Sequence, residues 1–448
     1  MREGSLDAPT RHPLNWRDPD FYDRAKIDAE MQRIFDICHG CRRCFNLCDS
    51  FPRLFDLVDN SATGEVDGVD RADYAKVVEA CTLCDMCFMT KCPYVPPHEW
   101  NVDFPHLMLR YRAADFREGK TPWTQRQLVE TDRNGRLGSA VAPLANWATK
   151  TDNRLTRPAL ERLAHIDRRA TLPEYHRRTF LRRAEAASPD INAEAPARGR
   201  KVVLYATCFV NYNSPQIGEA MRAILAKNGI AAEVAYPGCC GMPQLEEGDI
   251  ARTAESARRV AAALAPYLDQ GYDVVALVPS CALMLKFEWP LILPDDAAVA
   301  RLARATFDAT EYIVDIAKKE GLAPGLAALP GSISLHLPCH ARAQNMGAKA
   351  AEMLRLVPGT ETAVIERCSG HGGSWGVLKE NFDVALKVGK PAARQAAKNA
   401  GAFLASECPL AGAHLVQGIA ALDGEAAPLA LAFHPVELFA RAYGLMAE

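Results

Sequence analysis

Apolar residues recur at three-to-four spacing in two N-terminal stretches, AKIDAEMQRIFDIC and PHLMLRYRAADF, and that period predicts helix in both. ADYAKVVEA reads the same way, after the turn-rich SATGEVDGVD. Beyond residue 200 the pattern changes. KVVLYATC is a strand-like apolar run ending at Cys208, followed by the helical SPQIGEAMRAILAKNG, then IAAEVAY and the loop PGCCGMP. The alanine-rich helix DIARTAESARRVAAALAPYL leads into YDVVALVPSC, which ends at Cys281. The alternation then starts again. ISLHLPC ends at Cys339, a helix is predicted around Ala348–Leu356, and TAVIERCSGHGG carries Cys368. The helical FDVALKVGKPAARQAAKN then precedes AFLASEC with Cys408. Taking Cys208 with Cys339, Cys239 with Cys368 and Cys281 with Cys408, the copies are offset by 131, 129 and 127 residues. Three strands per copy, alternating with helices, predict two α/β halves with parallel strands, related by an approximate twofold. In such sheets ligands lie beyond the carboxyl ends of the strands, where these cysteines fall.

Fifteen cysteines is a high and odd count for 448 residues, and it argues for metal ligation in a reducing compartment rather than a disulfide framework. Eight form two complete runs, Cys38-x2-Cys41-x2-Cys44-x3-Cys48 and Cys81-x2-Cys84-x2-Cys87-x4-Cys92-Pro93. Four thiolates so spaced suit a [4Fe–4S] cube, with three from one tight loop and a fourth from afar. Zinc is the bland alternative, although its sites usually take paired C-x2-C units without a third cysteine three residues on. In two-cluster arrangements the fourth cysteine of each run usually serves the other cluster. Cys38, Cys41, Cys44 and Cys92 are therefore expected at one cube, and Cys81, Cys84, Cys87 and Cys48 at the other. The helical flanks predict an all-α, two-cluster ferredoxin-like domain over 1–115.

Residues 116–200 lose the cysteines and gain arginine, with nine between Arg154 and Arg183. The plain reading is a solvated helical connector whose arginines pair with acids such as Glu161 and Asp167; the functional one is a docking face for an acidic partner or an anionic lipid surface. The repeats are expected over 201–325 and 326–448. A formal net charge of −3 gives no sign of a nucleic-acid binder. The polar, proline-broken N-terminus shows no signal-peptide core, and no apolar stretch is long enough to span a bilayer. A cytoplasmic protein, at most peripheral on the inner face of the membrane, is expected.

The first copy brings Cys208, Cys239, Cys240 and Cys281, with glycines on either side of the adjacent pair to let the loop fold around a large inorganic body. This layout resembles the CCG-domain iron–sulfur proteins, among them a subunit of anaerobic glycerol-3-phosphate dehydrogenase and two heterodisulfide reductase subunits, here fused. The resemblance implies two conventional clusters feeding a site in the repeats. The chain departs from the pattern where CCG becomes Cys368-Ser369-Gly370, and where the closing C-x-x-C becomes Cys281-Ala-Leu-Met284 in one copy and Cys408-Pro-Leu-Ala411 in the other. The first copy keeps four thiolates, enough for a third cluster. The second keeps Cys339, Cys368 and Cys408, which can hold an open-cornered cluster, a mononuclear metal, or nothing. His340 and His371 are candidates for a fourth ligand or a catalytic proton donor, against the plainer reading of hydrogen-bonded loop histidines. Tyr212 and Trp375 are candidates to line the site, or simply to pack.

The reading that follows is an electron-transfer protein or oxidoreductase subunit, passing electrons between the two [4Fe–4S] clusters and the repeats. Its partner is expected to be a flavoprotein dehydrogenase, and its acceptor a quinone or soluble carrier. The alternatives are a reductase of a disulfide or peroxide-type substrate at the C-terminal cluster, and a redox or iron sensor.

Overall fold

The computed structural model describes residues 9–399, 401–422 and 431–446. Its N-terminal region is helical. Asp23 caps the first long helix, Arg24–Cys41, by accepting from the Lys26 amide, and Ile27, Met31, Ile34 and Phe35 are buried along one face. The helix ends at Arg42 in a left-handed turn of φ 49°, which swings the chain from Cys41 toward Cys44. Ser50–Asp59, Tyr74–Glu79 and Phe104–Arg117 pack around it. Ring contacts tie the bundle: Phe51 lies 4.7 Å from Phe104 and Phe35 lies 5.0 Å from Tyr74, centroid to centroid.

The C-terminal region holds two parallel sheets of the same order. Strands β1 (Val202–Tyr205), β2 (Ala232–Ala235), β3 (Asp273–Ala276) and β4 (Thr306–Asp308) run in the order β2-β1-β3-β4. Strands β5 (Ile333–His336), β6 (Thr362–Ile365), β7 (Phe403–Ser406) and β8 (Ala432–Phe433) run β6-β5-β7-β8. Val202 faces Ala232 on one side and Asp273 on the other, as Ile333 faces Thr362 and Phe403. The central strands β1 and β5 are buried along their whole length, as strands covered by helices on both faces must be. The hydrophobic pattern does not foretell the fourth strand of either sheet. At three and two residues, these strands are too short to show a period. A shared signature follows them, since Asp308 with Glu311 and His434 with Glu437 form capping boxes on the next helices.

The arginine-rich segment folds as short helices, including Trp123–Leu128, Thr131–Ala140, Ala142–Thr149 and Thr156–Ala164. Arg168 pairs with Glu161, and Arg169 with Asp167 and Asp383. Arg157 is buried instead and donates to the carbonyls of Asp167, Arg168 and Ala170.

One apolar core runs without a break from the helical bundle into both repeats. At its edge the N-terminal strap crosses the seam. The Leu14 amide donates to the Leu291 carbonyl, and the Trp16 indole to the Ile292 carbonyl. Between them and the bundle, Arg11 is nearly buried and binds three carboxylates: Asp85 at 2.8 Å, Asp103 at 2.9 Å and Glu288 at 3.1 Å. Asp85 sits inside the second cysteine run, Asp103 caps Phe104–Arg117, and Glu288 belongs to the first repeat. The guanidinium also lies 4.4 Å over the Phe88 ring. Arg11→Met should cost about 3–5 kcal/mol, because it removes the cation from the buried Asp85 and leaves His106 alone to face Asp103 and the buried Glu288; denaturant unfolding of anaerobically purified protein measures this, and a change below about 1 kcal/mol would show that the seam holds without it.

Candidate functional site

The cysteines of the two N-terminal runs are brought together in crossed groups. Cys38, Cys41, Cys44 and Cys92 line one small cavity walled by Ile37, Phe51, Phe55, Pro93, Tyr94 and Val102, with Arg43 its one charged side chain. Burial, with Cys92 and Cys44 nearby, holds the Cys38 thiol far above its ordinary value. Burial likewise pushes Cys44 up to about 12 and Cys92 up to about 11. In the other group the chief electrostatic neighbours of Cys48 are Cys84 and Cys81, and those of Cys87 are Cys84, Cys81 and Cys48. Thiols held this far from ionising become thiolates only beside a strong cation, so the donor set suits a metal cluster.

The loops around these cysteines carry left-handed residues. Leu83 and Asp85, on either side of Cys84, take φ of 47° and 62°, and Arg42 lies between Cys41 and Cys44. Alternating left-handed residues turn successive amides inward, the backbone concavity that iron–sulfur sites use. Amides two residues on also donate to sulfur: Ser50 to Cys48, Leu83 to Cys81 and Tyr94 to Cys92.

In the first repeat the cysteines sit beyond the carboxyl ends of β1, β2 and β3. Cys208 opens the short helix Cys208–Tyr212, Cys239 and Cys240 occupy the next loop, and Cys281 lies in Pro279–Leu283. Their sulfurs form two contacting pairs, Cys208 with Cys239 at 3.8 Å and Cys240 with Cys281 at 3.3 Å. Gly241, at a φ of 86° that disfavours a side chain, donates its amide to the Cys239 sulfur at 3.5 Å. The Trp289 indole fixes the Cys240 carbonyl at 3.0 Å, and the Tyr205 hydroxyl the Gly238 carbonyl at 2.6 Å.

The connector completes this site. Asp132, on helix Thr131–Ala140, accepts from the Cys239 amide at 3.0 Å and from the Tyr236 hydroxyl. That helix packs closely on the short helix Cys208–Tyr212 because Gly135 has no side chain; a Cβ there would collide with the Tyr212 ring. Tyr212 in turn meets Tyr236 edge-on at 5.8 Å, so it does border the first-repeat site. Asp132 escapes notice in the sequence because it lies 107 positions from the loop it holds, in a segment marked only by its arginines.

The second repeat keeps less. Cys368 and Cys84 are the chief neighbours that raise the Cys339 thiol, and Cys368 also neighbours Cys48. The Gly370 amide donates to the Cys368 sulfur at 3.3 Å, as Gly241 does to Cys239. The pairing of Cys281 with Cys408 drawn from spacing is corrected by the helix starts. After β3, Val278 is the N-cap with Pro279 first in the helix; after β7, Cys408 is the N-cap with Pro409 first. Cys408 therefore matches Val278, and Cys281 matches Ala411. Each copy has kept a different half of the closing C-x-x-C. The chief charged neighbours of Cys408 are Glu246 and Cys281, whereas those of Cys339 are Cys84 and Cys368.

His340 and His371 differ in setting. His340 is half-buried, and its Nδ1 lies 2.8 Å from the Ser280 hydroxyl, linking the two repeats. His371 is buried, with burial and the nearby His414 ring (5.8 Å between centroids) pushing it down to about 3. Its imidazole is therefore neutral, and its Nε2 has no hydrogen-bond partner among the described residues. Trp375 lies elsewhere, on a cavity of about 530 Å³ shared with Cys81, Thr82, Arg112 and Glu246. Burial raises Glu246 to about 8, so this cavity carries a protonated carboxyl at neutral pH.

A sequence profile described as the CCG cysteine-rich domain matches residues 202–286 and 333–415. The chain is 29% identical over 292 residues to a protein of Escherichia coli (strain K12) named as a subunit of anaerobic glycerol-3-phosphate dehydrogenase, covering 63% of this chain and 69% of that protein. It is 32% identical over 189 residues to lactate utilization protein A of Geobacillus kaustophilus, covering 40% and 74%. With lactate utilization protein A of Bacillus cytotoxicus it shares 29% identity over a stretch of the same length and shares. Two copies of the matched domain, at the two sheets whose loops carry the seven C-terminal cysteines, make this chain a member of the CCG cysteine-rich domain family.

Proposed function

We propose that the chain is an iron–sulfur electron-transfer protein acting as a subunit of an oxidoreductase. Cys38, Cys41, Cys44 and Cys92 would hold one [4Fe–4S] cluster of a two-cluster ferredoxin-like domain, and Cys81, Cys84, Cys87 and Cys48 the other. Cys208, Cys239, Cys240 and Cys281 would hold a third. The observation that carries the reading is the cavity lined together by Cys38, Cys41, Cys44 and Cys92 from the two runs, supported by the neighbouring of Cys48 and Cys87 with Cys81 and Cys84. Such clusters exchange single electrons at potentials tuned by hydrogen bonds to sulfur and by burial. The chain's own part is to supply the amides at Cys48, Cys81, Cys92 and Cys239 and to keep water from the thiolates with the walls around Cys38.

The relative named as part of a dehydrogenase supports a partner that oxidises substrate, a flavoprotein by our reading, with a quinone or soluble carrier as acceptor. The cavity beside Cys81 supports a second reading, reduction of a small disulfide or peroxide substrate within this chain. No helix among the described residues is long and apolar enough to cross a membrane. The connector supports peripheral attachment instead. Leu137, Val141, Leu144 and Trp147 follow one another at helical spacing yet are 63%, 51%, 61% and 49% exposed, and Leu155 and Leu163 are more exposed still. Arg136, Lys150, Arg154 and Arg162 on the same segment are exposed. An apolar stripe among cations is the make-up of a helix lying in an anionic lipid interface.

Anaerobic protein should contain about twelve irons and as much inorganic sulfide per chain, and Cys240→Ala should lose about four of each; zinc, or iron without sulfide, would overturn the assignment. Leu144→Asp with Trp147→Asp should abolish sedimentation with phosphatidylglycerol-containing vesicles. Unchanged binding, or equal binding to pure phosphatidylcholine, would refute the lipid face.

A further inference from the structure

The cavity of about 530 Å³ is built by every part of the chain at once. Val78 and Cys81 come from the helical region, Thr124 and Gln125 from the connector, and Ser374 and Trp375 from the second repeat. Specific contacts hold its walls. The Arg112 guanidinium donates to the Val78 carbonyl at 2.8 Å and to the Glu246 carbonyl at 2.9 Å, which ties the helical region to the first repeat. Gly372 and Gly373, at φ of 58° and 65°, let the second-repeat loop close in. A Cβ on the first would lie 2.6 Å from the Thr82 methyl, and one on the second 2.7 Å from the Glu246 carboxyl. The glycine run SGHGGSWG, which neither the sheets nor the cysteines account for, thus shapes this wall.

The cavity has a floor and a mouth. Val78 and Cys81 are buried, whereas Lys120, His165 and Glu380 are exposed, with His165 Nδ1 3.0 Å from the Glu380 carboxylate. Trp123 stands between the lining residues Pro122 and Thr124, and Leu163 two positions before His165. Both are 73% exposed, on the connector helices Trp123–Leu128 and Thr156–Ala164, which pack together. The second of these also packs on Ala142–Thr149, so the connector's exposed apolar side chains reach the mouth. The lining selects by charge. Glu79, Asp115, Glu246, Glu247 and Glu380 face the space with Arg112 and Lys120. Even with Glu246 protonated and His165 charged, carboxylates outnumber cations, and such a lining repels anions, carboxylate-bearing disulfides among them. A volume within the roughly 300–1,000 Å³ of organic-ligand sites is also far more than a peroxide fills. Gln125 and Asn381 bring amide donors that suit carbonyl oxygens, and Tyr111, Trp375 and Leu378 bring apolar faces that suit a ring.

We propose that this cavity binds the ring of a lipid-borne quinone, a role that rests on the electron-transfer reading above and says where its acceptor is held. The ring is uncharged, so the acidic lining does not repel it, and its two carbonyl oxygens match the amide donors. Its apolar tail leaves past Trp123 and Leu163, toward the face of the connector assigned to lipid. Reduction of the bound ring to its quinol takes up two electrons and two protons, one proton on each carbonyl oxygen. The electrons are those of the electron-transfer role, and the protons come from water at the open mouth.

The test uses the full-length protein, purified anaerobically with its iron and sulfide measured, and menadione as the probe. Calorimetric titration should show saturable binding, and an azido derivative of menadione, photolysed in the complex, should label peptides that carry residues 121–125 or 374–381. Ser374→Trp and Thr124→Trp, which fill the cavity from the second repeat and from the connector, should each weaken binding about tenfold or more at unchanged iron and sulfide. If a variant loses iron or sulfide, the labelling pattern of the wild-type protein decides. Absence of binding, labelling confined to other peptides, or full binding by both variants would overturn the proposal. So would oxidised glutathione binding here in place of menadione, which would make the cavity a disulfide site. Protein that binds menadione yet holds neither iron nor sulfide would instead refute the cluster assignment and leave the site standing, a separate failure.

Discussion

A guanidinium with three carboxylates around it governs how the parts of this protein meet. Arg11 comes from the N-terminal strap, Asp85 from a cysteine loop, Asp103 from a helix cap and Glu288 from the first repeat. A buried charge cluster of this kind adds little net stability over an apolar contact, yet breaking it is expensive. Its value is positional. Asp85 follows Cys84 directly, so the same ionic contact that closes the seam also fixes the loop that carries Cys84.

The two repeats started from one plan and have diverged in chemistry while keeping the frame. Strand order, register and the capping box after the fourth strand are common to both. The thiols are not. One repeat presents four sulfurs, bordered by Tyr212, Tyr236 and the connector's Asp132; the other keeps Cys339, Cys368 and Cys408. A scaffold whose loops all open beyond the same ends of parallel strands permits this, because ligands can be dropped from one loop without disturbing the sheet.

Much of this is legible in the chain. Alternating strand and helix patterns name the two sheets, and the cysteine spacings pick out Cys38, Cys41, Cys44 and Cys92, which line one cavity. What stays hidden has physical causes. Strands of two and three residues show no period. Arg11 and Asp132 act across 74 and 107 positions, and nothing local marks an ion-pair partner at such separation. Counting from cysteine to cysteine joins Cys281 to Cys408, when the helix-opening prolines Pro279 and Pro409 are the better landmarks. The histidines stand out for their neighbours in sequence, and burial decides their character: His371 is locked neutral, and His340 is committed to Ser280.

The brevity of the outer strands matters beyond topology. Every edge of the two sheets is a strand of four residues or fewer. An open sheet edge is a template on which another molecule's strand can add, and length is what makes the template sticky. A polypeptide crowded with reactive sulfur, which must wait for its inorganic cargo before it is finished, gains from offering so little purchase to its neighbours while it waits.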